Sequence, residues 1–204
     1  MKIIHAIDMN VPIQVFFGAW LSISFLFALR PQDISTLRWK DVAFKQDGAF
    51  ELSVVSAKGV KHRPTSLFTA PAAKSILSPA FWFTHLYRLC DPAPSGDQLV
   101  FARRRGGSSS PLKLIPMREL ASMLRSFYAQ YVSPDIPHKL TPYSLRRGSA
   151  SAYHQAGVND LHLSQMMRHK SFDTTAGYVD YYSASSSRQK FTAALLQPDE
   201  FFMP

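Results

Sequence analysis

Acidic residues are scarce in this chain. Of 204 residues only 14 are Asp or Glu, against 23 Lys and Arg, which gives a formal charge of +9 and a pI near 9.8. A surplus of that sign favours a polyanionic partner, either nucleic acid or an anionic membrane surface, and does not by itself separate the two. Cysteine is scarcer still. Cys90 is the only one, which excludes an intrachain disulfide and a cysteine-rich zinc site and agrees with a reducing compartment. A lone thiol of this kind reads first as a small buried apolar residue. Long uninterrupted apolar runs are also lacking. The single candidate, residues 11–29, is broken by Gln14, Ser22 and Ser24 and closed by Arg30, so it reads as a buried core helix and not as a membrane span. The opening Met1-Lys2-Ile3-Ile4-His5 has too weak a basic region, with no small-residue cleavage site close behind, for a signal peptide. The protein is therefore expected to stay inside the cell. No internal repeat and no long low-complexity tract is visible.

With 46% hydrophobic residues, the chain can build one compact domain with a sizeable core; two full domains would be a squeeze. Residues 11–29 suit a helix, and Pro31 begins a second, short one that should end near Trp39, with Asp33 in its first turn. The pattern then changes. Asp47-Gly48 is a turn signal, residues 50–55 are rich in strand formers, and Lys58-Gly59 leads to a further strand over 63–68. Together these signals predict an antiparallel sheet of about three strands. Residues 71–89 look helical after Pro79, and 99–101 suit a short strand. Residues 103–110, Arg-Arg-Arg-Gly-Gly-Ser-Ser-Ser, read as an exposed, mobile, basic loop. Helical spacing returns over 117–132, with Pro134 and Pro137 as stops. Thr141-Pro142 starts another helix that Gly157 ends. Short helices are expected over 160–168 and 173–180, then a polar hinge at 183–187, a short helix over 188–196 and an apolar end at Phe201-Phe202-Met203. The fold class is α+β, mainly α, with one small antiparallel sheet.

Three segments set a cation, imidazole or phenol where a solvated charge is an incomplete explanation. In the first, Ala28-Leu29-Arg30-Pro31-Gln32-Asp33, an arginine directly follows the long apolar helix. Asp33, three residues on, could hold its guanidinium in one orientation. Alone, this is a helix-terminal cation beside an acid. The second is Tyr143-Ser144-Leu145-Arg146-Arg147-Gly148, where Arg146 falls on the helical face of Tyr143 and Arg147 points elsewhere, to solvent or a DNA phosphate. The third runs through Arg168-His169-Lys170 to Tyr178, nine residues after His169. Taken singly, His169 could be a capping or surface histidine and Tyr178 a core aromatic.

In this order and at these separations, the three segments together resemble the tyrosine recombinase and phage integrase family. Arg30 and Asp33 match its first box. Tyr143 to Gly148 match a second box that reads roughly His-x-Leu-Arg-Arg-Gly, except at the first position. His169 and Tyr178 match a Leu-Gly-His-like element and the nucleophile that follows it. The resemblance covers about residues 17–182, so residues 1–182 are taken as a catalytic domain and 183–204 as a tail able to dock on a neighbouring subunit through Phe201, Phe202 and Met203. The family also carries a lysine on a β-hairpin between the first two boxes; Lys58 fits that place, and Lys61 is second choice.

The resemblance implies a site-specific DNA recombinase or integrase of the kind found in mobile elements and transposition. Tyr178 would attack a DNA phosphodiester, release a 5′-hydroxyl and leave a 3′-phosphotyrosine. Arg30 and Arg146 would clamp the phosphate, His169 would hydrogen-bond it, Lys58 would give a proton to the leaving oxygen, and Asp33 would orient Arg30. Lys61, Arg63, Arg147 and Lys170 would contact DNA. Two arginines neutralise the phosphate and the phosphotyrosine keeps the bond energy, so no metal, cofactor or ATP is implied. The implied partners are double-stranded DNA and further copies of the chain assembled on it, not a membrane, in a bacterial cytoplasm or a eukaryotic nucleus. Two departures stand out. Tyr143 replaces a histidine that serves as proton acceptor, and a phenol with an unperturbed pKa of about 10 is a poor general base. Arg168 replaces a glycine, which implies an altered turn before His169. The N-terminal helical domain with which family members clamp DNA is not expected within this chain. A non-catalytic DNA-binding relative and a type IB topoisomerase-like enzyme are the competing readings.

Overall fold

The interrupted apolar run forms α2 (Pro12–Leu26), with residues 15–24 all buried. A helix apolar around its whole circumference belongs inside a core, and at fifteen residues α2 falls short of a bilayer span. No helix among the described residues is long and apolar enough to cross a membrane. The structure is a computed structural model that describes residues 2–55, 65–70, 75–90, 93–104, 112–135 and 140–169. Among these the fold is mainly helical with a three-stranded antiparallel sheet, as the sequence pattern implies. Two compact units are distinguished: residues 1–24 with 29–143, and residues 25–28 with 144–204.

In the first unit, β1 (Val42–Phe44), β2 (Phe50–Val55) and β3 (Thr65–Ala70) form the sheet in that order. Asp47-Gly48 makes the first turn: Gly48 takes φ 80°, and the Asp47 carboxylate accepts from the Ala49 amide at 2.9 Å. Along β2 the strand period places Phe50, Leu52 and Val54 inward. The Phe50 ring packs at a tilt, centroids 4.8 Å apart, against Phe83 of α4 (Pro79–Arg88), a helix capped by Ser78, whose side chain accepts from the Ala80 amide. α2 meets α4 where Gly18 faces the buried Trp82 ring. It meets α5 (Met117–Tyr131) where the Phe17 and Phe127 rings pack at a tilt with centroids 5.2 Å apart. α1 (Lys2–His5), which the sequence pattern does not announce, packs on α5.

Three expectations are corrected in this unit. The helix opened by Pro31 is α3 (Pro31–Ser35) and stops well before Trp39. The Ser35 and Thr36 hydroxyls bond back to carbonyls of its own turn at 2.8 and 3.1 Å, and Trp39–Asp41 forms a separate 3-10 turn. The strand expected at 99–101 lies instead at β4 (Ala102–Arg104), paired with β5 (Leu112–Leu114) in a second sheet. Val100 and Phe101 are both buried, which draws the eye to them, but Leu99 makes only an isolated bridge to Arg38. Arg103 and Arg104 accordingly belong to a strand and not to a basic loop, with Arg103 ion-paired to Glu119 of α5; residues 105–110 lie outside the described residues.

The second unit is built on α6 (Pro142–Gln155), most of which lies in it, and α7 (Asp160–Met166). Gly157 at φ 89° ends the first of these, and Asn159 caps the second by accepting from the His162 amide. Their core is Ala28, Ala150, Leu163 and Met167, with Tyr153, Val158 and Met166 against it. Tyr153 donates its hydroxyl to the Leu26 carbonyl at 2.6 Å, which fixes the end of α2, and burial pushes its pKa up. The helices expected at 173–180 and 188–196, the hinge and the boundary at 182 all lie outside the described residues.

Candidate active site

Arg146 is the most deeply buried charged residue among those described, 1% exposed. It sits in the second turn of α6, beside the packed Ser149 and Ala150. Its guanidinium donates through Nη1 to the Ala28 carbonyl and through Nη2 to the Met167 carbonyl, and Nη2 lies 3.1 Å from His169 Nε2. A guanidinium only donates. The imidazole can therefore accept at Nε2 only when neutral and protonated on Nδ1, which leaves Nδ1–H as its donor. Two carbonyls and an imidazole thus hold the guanidinium in one orientation.

The turn that delivers His169 is a Schellman cap of α7. The Arg168 amide bonds to the Gln165 carbonyl at 2.9 Å and the His169 amide to the Ser164 carbonyl at 3.0 Å, the paired contacts that define this cap. Its left-handed position is Arg168, at φ 54°. The arginine standing where the family has glycine thus keeps a glycine-like backbone. The altered turn expected before His169 is not found, and the Ala28 and Met167 carbonyls are the parts of this site that the sequence reading did not single out. They act through the backbone, and no side-chain pattern marks them.

In the first unit Arg30 is half-buried and caps α3, its carbonyl accepting from the Asp33 and Ile34 amides at 3.0 and 3.2 Å. Asp33 is 2% exposed in the first turn of α3, where a carboxylate also complements the helix dipole. Tyr143 lies in the first turn of α6 and is 44% exposed. Arg147 is exposed. Lys58, Lys61 and Arg63 fall in the 56–64 connection between the paired strands β2 and β3. They lie outside the described residues, as do Lys170 and Tyr178. Among the described residues, no group of three or more His, Cys, Asp or Glu could hold a metal ion.

Solved structures share this fold. XerA recombinase aligns with a TM-score of 0.62 and 17% identity over 97% of this chain and 62% of its own. XerH site-specific recombinase, bound to its palindromic difH substrate in a post-cleavage complex, gives 0.65 and 14% over 96% of this chain and 50% of its own. The Tn1549 transposon integrase in complex with circular intermediate DNA gives 0.59 and 14% over 92% and 60%. The chain thus spans about half to three fifths of the structures it resembles. No curated protein matches it in sequence. The sequence profile of the phage integrase family matches residues 2–184, which takes in Arg30, Arg146, His169 and Tyr178, and the chain belongs to that family.

Proposed function

We propose that this chain is the catalytic part of a site-specific DNA recombinase that cuts and rejoins DNA through a 3′-phosphotyrosine. The observation that carries the reading is the pairing of Arg146 with His169 at 3.1 Å across 23 residues of sequence. The pair joins two boxes of the family pattern around one buried cation. In this reading Arg30 and Arg146 clamp the non-bridging oxygens of one phosphate, with Asp33 orienting Arg30 and the His169 Nδ1–H available as a further donor. Tyr178 forms the new O–P bond as the P–O5′ bond breaks. One proton passes in net from the phenol to the leaving 5′-oxygen, delivered there by Lys58. Lys61, Arg63, Arg147 and Lys170 hold neighbouring phosphates, and Tyr143 takes the place of the family's proton acceptor. Charge neutralisation by the arginines and energy kept in the phosphotyrosine make the reaction independent of metal and ATP. The partner is double-stranded DNA in a bacterial cytoplasm or a eukaryotic nucleus, with several copies of the chain assembled on it.

Covalent capture tests this. On a nicked DNA carrying the target site, loss of the short 5′-hydroxyl fragment traps the protein on the 3′ end. The adduct is expected to survive denaturant and to form in the presence of chelator. Tyr178→Phe abolishes it while binding persists, whereas Tyr181→Phe and Tyr182→Phe leave it intact. Arg30→Ala or Arg146→Ala lowers its rate by at least about 10²-fold, the scale for losing a charged donor to the transition state. A second reading, a DNA-binding relative that no longer cleaves, is favoured by the exposed Tyr143 in place of a histidine. It prevails if no adduct forms on any cognate DNA.

A further inference from the structure

Two non-glycine residues among those described have a positive φ: Ala28 at 48° and Arg168 at 54°. Side chains rarely adopt this region, because Cβ crowds the following carbonyl. Both belong to the surroundings of one guanidinium. Ala28 supplies the carbonyl that accepts from Arg146 Nη1. Arg168 stands between Met167, whose carbonyl accepts from Nη2, and His169, whose ring lies against the same nitrogen. Each follows a helix end, α2 for Ala28 and α7 for Arg168. Were residue 168 extended or right-handed, His169 would be carried off the Schellman turn and its ring could not return to Arg146.

We infer that Arg168 and Ala28 are positioning residues, whose left-handed backbone holds Arg146 and His169 as a preformed pair before DNA arrives. This rests on the reading that the pair grips the phosphate. A conformational contribution should follow each replacement's tolerance of positive φ, whereas one made through the Arg168 guanidinium, whose Nε and Nη1 are buried, should be lost in every replacement. Glycine accepts that region freely, asparagine readily, and a β-branched residue hardly at all. Ala28 is fully buried in a packed core, so a bulky replacement there would also overpack, and the test centres on Arg168, which is half-buried.

The experiment compares Arg168→Gly, Arg168→Asn and Arg168→Val with the parent protein by three measurements. These are single-turnover adduct formation on nicked DNA, DNA affinity, and the imidazole ¹⁵N signals of His169 in the DNA-free protein. The expected order is set by backbone. Gly and Asn keep the His169 signals and cleave within about threefold of the parent, while Val shifts the signals and cleaves about 10²-fold more slowly, as for a catalytic group displaced by roughly 1 Å, with affinity changed only a few-fold. If Gly and Asn are as slow as Val, the arginine side chain acts in its own right and the inference falls. It also falls if Val leaves both signals and rate unchanged. A parent protein that forms no adduct, in a series where only Val displaces His169, overturns the recombinase reading and leaves the positioning role supported.

Discussion

Tyr143 is placed so that its replacement is informative. Its side chain is 44% exposed in the first turn of α6, so a smaller imidazole can be accommodated there without opening a cavity. An imidazole titrates near neutral pH and can accept a proton that a phenol cannot. Tyr143→His is therefore expected to speed adduct formation or leave it unchanged, measured as a single-turnover rate at saturating protein. A large loss would mean that the phenol has a role of its own, such as donating a hydrogen bond to the phosphate. At this scale the sequence was informative wherever function resides in a side chain. Arg146 and His169 were legible because they match two boxes of the family pattern, and the structure brings the two side chains together. It was silent on Ala28 and Met167, which contribute carbonyls that every residue possesses. Arg168 was visible only as a missing glycine, and its left-handed turn emerges from the paired hydrogen bonds of the α7 cap.

Among the elements, α2 is the one on which the first unit is packed, and Gly18 is its point of closest approach. A Cβ added at Gly18 would lie 2.4 to 2.6 Å from ring atoms of Trp82. That ring is fully buried and its indole N–H donates to the Ile76 carbonyl at 2.6 Å, so it has little room to yield. Gly18→Ala would gain about 1 kcal/mol of helix propensity, yet overpacking of this kind costs about 1–3 kcal/mol. The expected result is a lower Tm by circular dichroism with altered Trp82 fluorescence; an unchanged Tm would mean that α4 moves aside without cost. Legibility of the elements follows the same physics. α4 and α6 could be read because Pro79 marks the start of one and Thr141-Pro142 the start of the other, which Gly157 ends, and α5 because its spacing is helical and Pro134 and Pro137 follow it. β4 and β5 could not, since three-residue strands have too few positions to establish a period, and their pairing joins segments separated by an Arg-Gly-Ser run that reads as loop. α3 was overextended for a related reason: Leu37 and Trp39 continue an apolar pattern although the backbone has already left the helix.

For the whole molecule, the dominant quantity is a charge of +9 on 204 residues, which the ion pairs Lys40–Asp97, Lys45–Glu51 and Arg103–Glu119 leave unchanged. On duplex DNA each phosphate neutralised by a Lys or Arg releases condensed counterions and adds about −0.9 to the slope of log affinity against log salt. If Lys58, Lys61, Arg63, Arg147 and Lys170 each meet a phosphate, the slope is expected near −4 to −5. Removing one of them, for instance by Arg147→Ala at an exposed position, should make it shallower by roughly one and weaken binding uniformly across sequences. The measurement is a salt titration of binding by fluorescence anisotropy, with and without target sequence. Charge alone would also draw the protein to an anionic membrane, so anionic vesicles serve as competitor in the same titration. A nucleic-acid protein should keep its DNA while vesicles are in excess, because fixed phosphates meet fixed cations on DNA and only a diffuse surface potential meets them on a vesicle. Displacement by vesicles, or a slope near zero, would place the basic surplus outside DNA recognition and leave the Arg146 and His169 pair without a substrate held against it.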